Sequence, residues 1–272
     1  MADKKSAGTN KKGRSSNSAG NTGDTKRTVF SVILVISALI MGVLIVVLVY
    51  RKNHPTNIVP QETSRTIEGD YPMPSEIIES DRSTYFSYTE VPAFIKNKMT
   101  YSYQEDGPVT WDDLRYLQLL YWGTDDQPHK GEMIVNVLIA DRASKIFYEL
   151  YKASYTIESV KLIDEFGGND EVSMANNNTS CFNMRPMVGS DNKWSLHAYG
   201  LAIDINPLYN PYVHDDEIYP VTAVKYADRS SNFIMKIDEN DFAYRIFVKY
   251  GFNWGGNWTN VKDYQHFEYN EE

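Results

Sequence analysis

The sequence predicts an α+β domain, in which helices flank a small antiparallel sheet, behind a single transmembrane helix. Residues 28–50 contain no charged side chain and are almost wholly apolar. Two segments near the C-terminus alternate apolar and polar residues as strands do, and other segments carry apolar residues at helical spacing. About 190 residues follow the apolar segment and its linker, enough for one domain with its own core.

The apolar segment is predicted to be a signal anchor in the cell membrane. At 23 residues, residues 28–50 are long enough to cross roughly 30 Å of hydrocarbon as a helix. Seven Lys or Arg precede the segment, whereas only Arg51 and Lys52 follow it closely. The positive-inside rule therefore places the N-terminus in the cytoplasm and the domain outside. A cleaved signal peptide is the alternative, but its apolar region would be shorter and no A-x-A-like site stands near Tyr50.

Composition predicts the regions on either side of the anchor. Residues 1–27 are rich in Ser, Gly, Asn and Lys, which is typical of a disordered tail, here cytoplasmic. Residues 51–82 hold four prolines and scattered charges without periodicity, and are predicted to be a linker or stalk. The folded extracytoplasmic domain is predicted to cover residues 83–272.

The charge of the domain excludes one class of partner. Beyond Lys52 the chain carries 18 Lys and Arg against 34 Asp and Glu, a net charge of −16. Nucleic-acid binding requires a basic surface, so we expect no nucleic-acid partner. Cys181 is the single cysteine, so no internal disulfide can form, and packing or a bound metal must hold the domain together.

Apolar residues recur at helical spacing in three segments of the domain. In the first segment, Leu114, Leu117 and Leu120 would share one face, with Asp112 and Asp113 near the N-terminal end where negative charge is favourable. The predicted elements are a helix over 111–122, a helix over 139–151, a short strand over 160–163 and a helix over 242–250 that ends at Gly251.

Two further strands are predicted where the most distinctive side chains lie. Branched apolar residues alternate with small or polar ones over 201–206, so Asp204 would point away from the core. Residues 264–269 alternate in the same way and place His266 on a second strand. Pairing of these strands would bring the two side chains together.

Two imidazoles and one carboxylate, from His197, His266 and Asp204, form a candidate metal site. Gly200 permits a tight turn or a positive φ, which would bring His197 back near Asp204. Three protein ligands with one open position are typical of catalytic zinc, although this donor set also suits other first-row metals. We expect one zinc ion per chain, which would activate a water molecule for hydrolysis.

Three more residues complete the candidate site. Asp263 stands three residues before His266, close enough to act as the general base and to pass a proton to the leaving amine. Arg185, twelve residues upstream of His197, is expected to stabilise a developing oxyanion, with a surface salt bridge as its alternative role. Ser195 could either hydrogen-bond a substrate or cap a turn. The aromatic segment 252–258 could wall a substrate groove or be a packed loop.

The candidate ligands stand in a pattern that resembles a known family. His197-x6-Asp204, followed by Asp-x-x-His at 263–266, resembles the signature of the D-alanyl-D-alanine metallopeptidases. These include VanY-type D,D-carboxypeptidases and the related L-alanyl-D-glutamate endopeptidases of phage endolysins. The resemblance extends over about 110–272 and includes the segments 131–136 and 178–185.

The resemblance implies a zinc peptidase that acts on the peptide stems of peptidoglycan. It implies the three zinc ligands named above, Asp263 as catalytic acid/base, and Arg185 as a residue that stabilises the transition state or binds a substrate carboxylate. D,D-carboxypeptidase activity is the first expectation. Many members have Glu-x-x-His, and an Asp base is found in the endopeptidase-like branch, so cleavage at the L-alanyl-D-glutamate or another wall bond is the alternative. An inactive wall-binding module is a second alternative, but it would not need Asp263.

Overall fold

The structure is a computed structural model that describes residues 71–187 and 193–270. The predicted tail, the signal anchor at 28–50 and most of the stalk lie outside these ranges. Within the described ranges, every helix is too short or too polar to cross a bilayer. Internal contacts divide the chain after Arg65, and the elements below all belong to the second unit.

Helices and strands, most of them short, are interspersed along the domain. The helices are α1 (Arg82–Tyr85), α2 (Ala93–Lys96), α3 (Ala140–Lys152), α4 (Asp170–Ala175), α5 (Val224–Ala227) and α6 (Phe242–Lys249). The strands are β1 (Ser87–Glu90), β2 (Leu114–Trp122), β3 (Pro128–Asn136), β4 (Ser159–Val160), β5 (Asn178–Thr179), β6 (Ala202–Asp204), β7 (Tyr212–His214), β8 (Glu217–Tyr219), β9 (Asn253–Trp254), β10 (Lys262–Asp263) and β11 (His266–Glu268). Single 3₁₀ turns lie at Glu79–Asp81, Trp111–Asp113, Ile163–Phe166, Leu196–Tyr199, Val221–Ala223 and Gly255–Asn257. The predicted α+β class is confirmed.

The strands of the described residues form several small sheets rather than one. Three sheets are antiparallel, with the strand orders β1-β2-β3, β6-β11-β9 and β10-β7-β8. Strands β4 and β5 form a two-stranded parallel pair. The second of these sheets carries Asp204 and His266, and the third carries Asp263.

The predicted helix over 111–122 is wrong, because this segment is a 3₁₀ turn followed by the strand β2. Strand β2 is the central strand of its sheet, and α3 packs on the sheet. Leu114 is buried in a cluster with Ile95, whereas Leu117 is buried on the opposite face in a cluster with Phe147. A strand that is covered on both faces can therefore bury residues three apart, and this imitates the spacing of a helix.

Two other predicted helices are confirmed, and one predicted strand is shorter than expected. The helix over 139–151 is confirmed as α3, and the helix over 242–250 is confirmed as α6, with Gly251 at a φ of 86° beyond its end. The strand over 160–163 is present only as β4, since a 3₁₀ turn begins at Ile163. The sequence predicts that residues 71–82 belong to the stalk, yet Ile77 is buried in the main core. Packing therefore begins before residue 83.

Strand β11 joins the core to the site. Its central residue, Phe267, is fully buried between Ile203 of β6 and Trp254 of β9, its partners in register. Phe247 of α6 stacks on Phe267, with ring centroids 4.2 Å apart. Helix α6 therefore fixes the position of the strands that carry Asp204 and His266.

Truncation of Phe247 is expected to destabilise the domain strongly. Phe247→Ala removes the ring that stacks on Phe267, and large-to-small changes of this kind cost about 3–5 kcal/mol. Val248→Ala is the matched control, because Val248 is exposed on the same helix and its loss should change stability by less than about 0.5 kcal/mol. Urea denaturation measures both free energies of unfolding. Similar losses in the two variants would contradict this account of the core.

Candidate metal centre

Two of the predicted ligands lie directly opposite each other on paired strands. Asp204 of β6 and His266 of β11 are partners in the antiparallel register, as Ile203 and Phe267 are on the core side. Because side chains alternate along a strand, Asp204 and His266 share the face turned away from the core. The predicted pairing of these two segments is confirmed.

The third predicted ligand comes from the 3₁₀ turn that precedes β6. His197 lies in this turn, which ends at Gly200 with a φ of 68°. A Cβ at Gly200 would come within 2.8 Å of the backbone nitrogen of Asn136, so both the backbone angle and the space require glycine. The turn thus packs against β3 and directs His197 toward Asp204.

The three side chains converge within a buried space. His197 Nε2 lies 3.3 Å from Asp204 Oδ2, and His266 Nδ1 lies 3.2 Å from Asp204 Oδ1. The two imidazole nitrogens are 3.2 Å apart, and each ligand residue is at most 9% exposed. Two lone-pair nitrogens at this separation require a shared proton or a cation. These three residues therefore fit a metal ion. Among the described residues, they form the one group of potential ligands whose donor atoms lie close enough together to bind an ion.

The remaining nitrogen of each imidazole is engaged by the protein. His197 Nδ1 donates to the backbone carbonyl of Cys181 at 2.6 Å, and His266 Nε2 lies 3.4 Å from Glu268 Oε2. Such partners orient ligating histidines and fix the nitrogen that faces the metal. Glu268 was not predicted, although it stands two residues after His266 in a strand and so shares its face.

The ionisation of the centre also suits a cation. Burial opposes ionisation of Asp204, but the charge of His197 and hydrogen bonds from both histidines hold the pKa of Asp204 well below its usual range. Burial alone would lower the pKa of His266, but hydrogen bonds with Asp204 and Glu268 and the neighbouring carboxylate charges raise it to about 10. Without metal, the carboxylate therefore retains a proton on His266, which a metal ion can replace.

Asp263 lies beside the ligand set. Its Oδ2 is 4.0 Å from His266 Nδ1, and its Oδ1 is buried without a hydrogen-bond partner among the described residues. Burial raises the pKa of Asp263 to about 6, the nearby Asp204 charge adds to the rise and His266 opposes it. A Cβ at Gly255 would come within 2.9 Å of Asp263 Cβ, so a glycine is needed for Asp263 to lie here.

Arg185 is held near the centre by an acidic residue that the sequence did not indicate. Its guanidinium forms an ion pair with Asp170, the first residue of α4, which also accepts a hydrogen bond from Asn183. Burial lowers the pKa of Arg185, and the charges of Asp204 and Asp263 oppose this change. Arg185 therefore forms a salt bridge and also lies close enough to Asp204 and Asp263 to interact with their charges. No sequence periodicity connects Asp170 to Arg185.

Ser195 and the aromatic segment have mainly structural contacts. The Ser195 hydroxyl accepts a hydrogen bond from the backbone of His197 and caps the 3₁₀ turn, so its predicted contact with substrate stays a prediction. In the segment 252–258, Trp254 is buried and donates its indole N–H to the carbonyl of Tyr264. Trp258 differs, because its ring lies 5.3 Å from the ring of His266. This segment thus packs as β9 and the following 3₁₀ turn, with one ring at the site.

Residues 188–269 match the family model described as D-alanyl-D-alanine carboxypeptidase. The resemblance to the D-alanyl-D-alanine metallopeptidase family is confirmed. The matched segment includes all three candidate ligands and Asp263, while Arg185 lies just before it. Comparison with curated proteins and with solved structures gives no match. The matched family is one of hydrolases, and the buried group of two histidines and one aspartate could bind a metal ion.

The metal content of variants should separate ligands from their supporting residues. His266→Ala removes one of the three donors and is expected to abolish stoichiometric zinc, measured by elemental analysis of the purified chain. Glu268→Gln removes the charge behind His266 and should weaken zinc affinity about 10–100-fold. Glu239→Gln, at an exposed carboxylate elsewhere, should leave affinity unchanged. Full zinc occupancy in His266→Ala would show that the ligand set is wrong.

Proposed function

We propose that the protein is a zinc peptidase that hydrolyses the peptide stems of peptidoglycan, as a D-alanyl-D-alanine carboxypeptidase. The observation that carries this proposal is the position of Asp263, a largely buried carboxylate beside the ligand set. A group that only binds metal does not need this carboxylate, whereas hydrolysis needs a base within reach of the attacking water.

One zinc ion would be held by His197 Nε2, His266 Nδ1 and the carboxylate of Asp204. Two imidazoles and one carboxylate are a donor set of catalytic zinc peptidases. When bound, zinc supplies the Lewis acidity that polarises a scissile carbonyl and makes water a nucleophile at neutral pH. The contacts of His197 with Cys181 and of His266 with Glu268 hold the required nitrogen atoms toward the centre.

Asp263 would act as the general base and then as the general acid. Its carboxylate takes a proton from water as the oxygen attacks the scissile carbonyl carbon, and it gives the proton to the leaving amine as the C–N bond breaks. The free Oδ1 has no competing partner among the described residues. Only the ionised form of Asp263 accepts a proton, and its pKa is about 6 without metal. Activity should therefore fall as the pH is lowered, beginning at about pH 6 or at a lower pH.

Arg185 would place positive charge beside the reacting carbonyl. Its ion pair with Asp170 limits the motion of the guanidinium, so less conformational entropy is lost when it meets an anion. That anion is the developing oxyanion or the terminal carboxylate of the substrate. Ser195 would contribute to substrate binding only if its hydroxyl gave up the hydrogen bond with which it caps the 3₁₀ turn.

The cellular location follows from the predicted anchor. Residues 28–50 would hold the protein in the cell membrane with its tail in the cytoplasm and the peptidase domain outside, where its substrate lies. Protease added to intact spheroplasts should then remove the domain and spare the tail. Digestion of the tail with protection of the domain would show the opposite orientation.

The products of digestion test the activity directly. The full-length chain, solubilised in detergent with zinc, is incubated with purified muropeptides, and the products are identified by mass. Free D-alanine is expected. A stem split at an internal bond would favour the endopeptidase, which the Asp at position 263 also fits. Unchanged muropeptides would favour a wall-binding module and contradict the proposal.

Replacement of the base should separate proton transfer from metal binding. Asp263→Asn keeps the size of the side chain but cannot accept the proton, so kcat should fall about 10²–10⁴-fold. Zinc content should stay near one per chain, and Asp263→Glu should retain partial activity. Asp106→Asn, at an exposed position, is the control. An Asp263→Asn protein that is zinc-loaded and as active as the wild type would require a different base.

A further inference from the structure

One face of the sheet β10-β7-β8 continues outward from Asp263. Asp263 is the register partner of Tyr212 on β7, and Tyr212 is the partner of Tyr219 on β8. Register partners in antiparallel strands point to the same face of the sheet. Asp263, Tyr212 and Tyr219 therefore form a row across three strands, named here the tyrosine row.

The contacts of the tyrosine row agree with its register. The rings of Tyr212 and Tyr219 have centroids 6.1 Å apart. Burial and the charge of Asp263 both raise the pKa of Tyr212, which places the phenol within the field of that carboxylate. Tyr212 is half-buried and Tyr219 is 36% exposed, so the row opens toward solvent with increasing distance from Asp263.

The outer end of the row is joined to the segment that holds Arg185. The backbone N–H of Val221, two residues after Tyr219, donates to Glu171 at 2.7 Å. Glu171 follows Asp170, the partner of Arg185. A hollow of about 240 Å³ lies at this end, lined by residues 216–219, Val221 and Val224. The row thus leads from the site to an open space.

This face carries two carboxylates, those of Asp263 and Glu217, and the imidazole of His214, the register partner of Glu217. Glu217 shares the face, since it stands two residues before Tyr219, and its charge reaches Tyr212 as that of Asp263 does. Lys262 is the one Lys or Arg within these three strands. It lies on the opposite face, where it donates a hydrogen bond to the carbonyl of Gly256. The two aromatic rings attract an ammonium group, and the carboxylate of Glu217 adds to this attraction.

The length of the row indicates which part of a substrate reaches it. Neighbouring strands are about 4.8 Å apart, so Tyr219 lies roughly 10 Å from Asp263, the span of about three extended residues. In a carboxypeptidase the leaving part is a single residue, so only the N-terminal side of the substrate is long enough. We propose that Tyr212 and Tyr219 form a subsite for a side-chain ammonium of a residue shortly before the scissile bond, an inference that rests on the proposed function.

A binding experiment without turnover tests the subsite. The full-length Asp263→Asn chain, in detergent with zinc, is titrated calorimetrically with N-acetyl-Lys-D-Ala-D-Ala and with the same peptide acetylated at Nε. The free amine should bind about 2- to 10-fold more tightly. Tyr212→Leu or Tyr219→Leu in this background should remove the preference, without weakening the acetylated peptide by more than about twofold. Tyr212→Phe keeps the ring and should retain the preference.

The control and the contradictory results are distinct. Tyr88→Leu, at an exposed tyrosine of β1, should keep the preference, and the zinc content of each variant reports that the site is folded. Equal affinities for the two peptides, or a preference that survives Tyr212→Leu and Tyr219→Leu, would overturn the subsite. A wild-type chain that cleaves neither peptide would contradict the proposed function alone, because the titration does not depend on cleavage.

Discussion

The register between β6 and β11 determines where each chemical group of the site lies. With Asp204 opposite His266, the carboxylate and the imidazole face the centre while Ile203 and Phe267 fill the core. A shift of one residue would turn the apolar pair to the site and the charged pair inward. The stacking of Phe247 on Phe267 holds this register through burial of two aromatic rings, so hydrophobic packing on one face positions the chemistry on the other.

The centre places several polar groups where water is largely excluded. A buried carboxylate is costly unless it is paired, and Asp204 is paired with two imidazoles. This arrangement leaves a position between the donors that a proton or a metal ion must fill. Asp263 differs from Asp204, because its Oδ1 has no hydrogen-bond partner among the described residues and its pKa is raised. The same burial thus creates a ligand set and, next to it, a carboxylate suited to proton transfer.

The sequence predicts the convergence of the three candidate ligands better than it predicts the surrounding fold. Asp204 and His266 each lie in a strand whose alternation is local, and Gly200 marks the turn that brings His197 to them, so short-range patterns were sufficient. The helix over 111–122 was wrong because burial of both faces of β2 depends on distant residues. The partnership of Arg185 with Asp170 likewise depends on tertiary packing. Glu268 could have been found from the same alternation that placed His266. The anchor at 28–50 stays a prediction, outside the described residues.

The position of the metal tests the central claim most directly. Anomalous scattering at the zinc edge, from crystals of the zinc-loaded chain, locates the ion and the atoms around it. The account predicts one zinc bound by His197 Nε2, His266 Nδ1 and Asp204, with Asp263 outside the ligand set. Zinc bound by Asp263 in place of Asp204, or bound at another location, would contradict the account.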